Sequence, residues 1–156
     1  MGAQFLFQPG DDSWATCSFE IGDARVEWFA SRLSDDAFGD LISALAALLR
    51  GGAAETTTVF VDEPECLGVT LAVEPPATVR VTVTRFPDWP LTGRTRGEVI
   101  FDEVARLRTL AGSVVANAQS ILATQGAAGY LARWGTPFPD ASLAKLRAAL
   151  DEPRGR

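Results

Sequence analysis

The chain has 156 residues, of which 47% are hydrophobic, a formal net charge of -6, two cysteines and no histidine. That length and apolar content suffice for one self-supporting core, so a single globular domain over 1–156 is expected, with 1–12 and 152–156 loose. Lacking imidazole, the chain has no Ser-His or Cys-His nucleophile system and no conventional closed zinc site. Its acidic balance disfavours a nucleic-acid or anionic-membrane surface, since both need clustered positive charge.

In chain order, Trp14 to Ile21 and Ala24 to Leu33 flank Gly22-Asp23, small residues suited to a tight turn, and predict an opening β-hairpin. A helix follows: Ser34 supplies the cap, Asp35 and Asp36 favour its positive end, and Arg50 with Gly51 closes it. Phe38, Leu41, Ile42, Leu45, Leu48 and Leu49 give this helix one apolar stripe. Strands are then expected from Thr56, Cys66 and Ala77. The second of these places Leu67, Val69, Leu71 and Val73 on one face, and the third does the same with Val79, Val81 and Val83. Thr78, Arg80, Thr82 and Thr84 face outward, while Pro64 and Pro75-Pro76 mark the connections.

Further on, "GEVIF" adds an optional short strand before a long helix from about Asp102 to Gln125, ended by Gly126. Arg106, Thr109, Ser113, Asn117 and Ser120 form the polar face of that helix. A last helix starts at a capping Asp140 and carries Leu143, Leu146 and Leu150. The order β-β-α-β-β-β-(β)-α-α predicts a two-layer α+β fold: one antiparallel meander sheet of five to six strands, helices on one face, the other face partly open. The longest apolar run, Leu41 to Leu49, is too short to span a bilayer and no basic leader precedes it, which reads as a cytoplasmic protein.

Two segments stand out as candidate partner-binding sites. "RFPDWPLTGRTRG" sets Trp89 among Arg85, Arg94 and Arg96, and Trp with Arg is the pairing enriched in interface hot spots. A packed connection whose arginine stems cover the indole is the competing reading. "DEPE" gathers Asp62, Glu63 and Glu65 around a turn, either a solvated acidic turn or an edge that meets a basic partner. Cys17 alternates with Ala15 and Phe19 and so faces inward, and Cys66 beside acidic residues has no reason to be reactive. No catalytic residue, metal ligand or cofactor motif is identified.

The stretch "AAGYLARWGTPFPDASLAKL", with Gly129-Tyr130, Trp134-Gly135 and Phe138-Pro139 before a leucine-bearing helix, resembles a group of small bacterial α+β proteins. Together with the hairpin, capped helix and meander, the likeness covers most of the chain. It implies immunity partners of polymorphic toxins as a functional class, and it transfers no functional residue. Tyr130, Trp134 and Phe138 read as an aromatic latch for the final helix. The combined expectation is a non-enzymatic protein-binding or accessory domain, an immunity-type inhibitor being one form of it. Its partner would be a basic protein or a second copy at the open sheet face. The alternative is a small-molecule-binding domain or carboxylate-dependent enzyme with a pocket between sheet and helices.

Overall fold

A computed structural model of the protein describes residues 2–91 and 96–153. The fold is α+β, with seven strands and four α-helices among the described residues. The sheet is divided in two, where one was expected. Strands β1 (Ala3–Pro9), β2 (Trp14–Ile21) and β3 (Ala24–Ser31) form an antiparallel three-stranded sheet in the order β1-β2-β3. After helix α1 (Ala37–Arg50), strands β4 (Glu55–Asp62), β5 (Glu65–Glu74), β6 (Thr78–Phe86) and β7 (Glu98–Arg106) form a four-stranded meander. Helices α2 (Leu107–Thr124), α3 (Gly126–Trp134) and α4 (Asp140–Asp151) complete the chain. Alternation reveals which face of each strand is apolar but not which strands share hydrogen bonds.

Each sheet has one apolar face, and the two faces share a core. Trp28 meets Phe60 with ring centroids 5.6 Å apart, and Phe19 stacks on Phe101 at 6.2 Å. At the other end of the three-stranded sheet, Phe7 stacks on Phe38 of α1 at 4.7 Å and meets Trp134 edge-on at 5.1 Å. Tyr130 and Phe138 are in edge contact at 5.3 Å. The Trp134 indole donates to the Asp35 carbonyl at 2.7 Å. The three aromatics thus form a latch that ties α3 and the turn before α4 to β1 and to the turn before α1. No helix among the described residues is long and apolar enough to cross a membrane.

Several expected boundaries move for identifiable reasons. Residues 1–12, expected to be loose, contain β1: Phe5 and Phe7 alternate with Gln4 and Gln8, and both rings are fully buried. Ser34 does not cap α1. It ends a 3₁₀ turn, Arg32–Ser34, and its hydroxyl accepts from the Val61 amide at 2.7 Å, tying the turn to β4. Asp36 occupies the position before α1. "GEVIF" begins a full nine-residue strand, so α2 starts at Leu107 and not near Asp102. Gly126 ends α2 as expected, with φ at 71°, but α3 follows at once.

Asn117 is the clearest departure from the helical pattern. Expected on the polar face opposite the apolar stripe, it is buried against β1. Its amide accepts from the Phe7 N–H at 2.8 Å and donates to the Phe7 carbonyl at 3.1 Å. Ser113 accepts from the Phe5 N–H at 2.9 Å, and Gln125 donates to the Pro9 carbonyl at 3.2 Å. The polar stripe of α2 thus closes the free edge of β1, doing with side chains what another strand would do with backbone.

Candidate functional site

Core packing turns one side of the three-stranded sheet inward and leaves the other open. Ala15, Cys17 and Phe19 of β2 and Val26, Trp28 and Ala30 of β3 are buried. Period-two alternation therefore sends Trp14, Thr16, Ser18 and Glu20, with Arg25, Glu27 and Phe29, to the outer face. There Leu6 is 37%, Trp14 36% and Phe29 53% exposed, large apolar groups on the outer face, although Ser18 at its centre is buried. Register explains their proximity: Thr16 lies opposite Phe29 and Trp14 opposite Ser31, which makes the two aromatic residues diagonal cross-strand neighbours.

A hollow of about 390 Å³ opens at this corner, lined by Trp14, Phe29, Gln8 and Thr16 and by the loop carrying Asp11 and Asp12. Asp12 accepts from the Trp14 amide at 3.2 Å, an Asx turn that fixes the start of β2. Asp11 is paired with Arg133 of α3 at 3.1 Å, with 89% of its side chain exposed. A second hollow, about 740 Å³ and more open, lies at the β2–β3 turn beside Asp23 and Glu103. Both hollows are on the surface, and neither lies between sheet and helices.

The two sequence-identified segments come together in part. Asp62 and Glu65 face each other across the β4–β5 turn, and Arg85 of β6 binds Glu65 at 3.1 Å. Part of the acidic turn is thus neutralised by an arginine of the same chain. Burial, then the Glu65 charge, pushes the Asp62 carboxyl above its ordinary value, against the opposing pull of Arg85. Glu63 accepts from the Ser31 hydroxyl at 3.5 Å. Because Ser31 pairs with Trp14, the acidic turn borders the open face at its aromatic corner.

Trp89 is 39% and Leu91 41% exposed, and Pro87 and Asp88 before the indole are exposed as well. The Cys66 thiol donates to the Asp88 carbonyl at 3.7 Å, and Cys66 is fully buried. Gly97 lies so close to Thr84 and Phe86 that a Cβ there would overlap both side chains. The loop is thus a packed connection at its ends with an exposed indole between them. Arg96 is exposed, and Arg94 lies outside the described residues. Burial pushes the Cys66 thiol up, and raises Cys17 well above its ordinary value with help from Asp62. Both are poor nucleophiles in the folded state.

The Trp14–Phe29 corner escaped sequence reading although its signal was present. An inward Cys17 requires an outward Trp14, and an aromatic in the outward register of a half-buried strand calls for an explanation. Comparison with family models, curated proteins and solved structures finds no match to this chain. Function must therefore be argued from the surface itself.

Proposed function

We propose that the chain is a non-enzymatic binding module that docks a basic protein partner on the open face of the three-stranded sheet. The observation that carries this reading is the exposure of Trp14 and Phe29, neighbours on one strand pair, within a rim of carboxylates. Asp11, Asp12, Glu20, Glu27 and Glu63 lie on or beside this face. Arg25, which binds Glu20 and Glu27, and Arg133 offset part of their charge. Aromatic anchors inside a polar rim are the usual anatomy of an interface, and the acidic excess steers a basic partner toward it. The sequence resemblance makes an immunity-type inhibitor of a basic bacterial toxin the favoured form of that partnership, acting in the cytoplasm.

In this reading Trp89, Arg85, Arg94 and Arg96, with Asp62, Glu63 and Glu65, form a flanking contact. The link between Glu63 and Ser31 supports that assignment, since it joins the acidic turn to the aromatic corner.

The test is photocrosslinking in cells from a benzoylphenylalanine placed at Leu6. A single basic partner should be captured, and Phe29→Arg should abolish the adduct. Trp89→Ala with Arg96→Ala should reduce it only partly. Capture indifferent to Phe29→Arg would overturn the assignment of the face. Light scattering distinguishes a foreign partner from a second copy: a dimer lost in Phe29→Arg would assign the face to self-association.

A further inference from the structure

We propose that the hollow between Trp14 and Phe29 receives a lysine or arginine side chain of the docked partner, its cation held against the aromatic rings and the Asp11 and Asp12 carboxylates. This deepens the docking reading and rests on it. The volume of about 390 Å³ leaves room for one long side chain. Its walls are chemically divided. Trp14 and Phe29 line it with aromatic surface suited to a cation and its methylene stem, while Asp11 and Asp12 supply countercharge at the loop. Gln8 and Thr16 add neutral polar groups that a guanidinium or ammonium can use.

Arg133 points to the same preference from within the chain. Its guanidinium Nε already lies 3.1 Å from Asp11, so a cation stands at the edge of the hollow in the free protein. That pair is exposed, with side-chain exposures of 40% for Arg133 and 89% for Asp11, and exposed pairs exchange partners at little cost. A partner's cation, favoured also by the aromatic walls, would replace Arg133 at Asp11. Asp12 has one oxygen engaged by the Trp14 amide and remains exposed.

The probe is a capped Gly-Arg-Gly peptide titrated into the ¹⁵N-labelled full chain, with the neutral citrulline analogue as control. Saturable shifts are expected at the Trp14 indole and at the Thr16 and Phe29 amides, with an affinity in the millimolar range for one side chain. The citrulline peptide should bind about tenfold more weakly, since the cation-dependent contacts are lost. Asp11→Asn with Asp12→Asn should weaken binding similarly. Asn at position 12 can still accept from the Trp14 amide, and an unchanged spectrum elsewhere verifies the fold. Arg133→Gln should tighten binding about two- to threefold by removing the internal competitor, an effect that a purely structural role for Arg133 would not produce.

Equal binding of the arginine and citrulline peptides, no saturable shift, or shifts confined to the Asp62 to Glu65 turn would each overturn the proposal. If the peptide fails while crosslinking still depends on Phe29, this inference falls and the docking reading stands. If the peptide binds but crosslinking ignores the face, the hollow remains a cation site and the docking reading falls.

Discussion

Replacing Asn117 by leucine removes the closure of the β1 edge while roughly preserving side-chain volume. The Asn117 amide serves both backbone groups of Phe7, at 2.8 and 3.1 Å, in a contact sealed between α2 and β1. Leaving a buried donor or acceptor unmade costs about 1–3 kcal/mol. Two such groups set a range of about 2–6 kcal/mol, reduced by the favourable burial of leucine, so a loss of about 3 kcal/mol is expected. For a domain of this size each kcal/mol shifts the melting midpoint by about 2–4 °C, which predicts a fall of roughly 6–12 °C. Ser113→Ala, which frees only the part-buried Phe5 amide, should cost about 1 kcal/mol. Urea denaturation followed by circular dichroism gives the free energies, and hydrogen exchange at the Phe7 amide localises the effect. A leucine variant that loses less than about 1 kcal/mol, with Phe7 protection unchanged, would refute the claim that α2 substitutes for a missing strand.

The remaining predictions concern charge, backbone and thiols. Burial, then the neighbouring Asp40 charge, raises the Asp36 carboxyl above its ordinary value, so the folded state holds this proton more tightly than the unfolded state. Stability should therefore fall as pH rises through the unfolded and then the folded pKa. Asp36→Asn should be more stable than the parent at neutral pH and lose that advantage in acid, as thermal melts across pH would show. Gly126, the first residue of α3, has φ 71°, so Gly126→Ala should cost about 1 kcal/mol through left-handed strain, measurable by urea titration. Cys17 and Cys66 should resist iodoacetamide in the native protein. Gly97→Ala, by lifting the loop from Thr84 and Phe86, should speed labelling of Cys66 and leave Cys17 protected, as mass spectrometry of the labelled peptides would reveal.

What the sequence made legible was one-sidedness. The stripes of α1 and of β5 and β6 were readable because burial imposes a period on each element separately, and Phe38, Leu41, Leu67, Val69, Val81 and Val83 are indeed buried. The division into two sheets was not readable, because it depends on which strands pair after α1 intervenes, a relation between elements distant in sequence. Asn117 was misassigned for a similar reason. A polar residue on a helix implies a polar environment, and the free edge of β1 is as polar as water while excluding it.

The same distinction explains why the segments singled out from the sequence did not include the aromatic corner. The Arg85 to Gly97 segment drew attention because its residues are adjacent in the chain, yet folding engages Arg85 with Glu65 and packs Gly97 on Thr84 and Phe86. Trp14 and Phe29 are separated by the whole β2–β3 hairpin and meet only through register. Their side chains have no structural task on the outer face, whereas every other aromatic of that sheet is fixed in the core. Burying the exposed parts of two such rings at an interface would contribute on the order of 1–3 kcal/mol each, a large fraction of a specific contact. In the docking reading proposed above, the partner covers these rings and meets a carboxylate rim that Arg25 and Arg133 offset only in part.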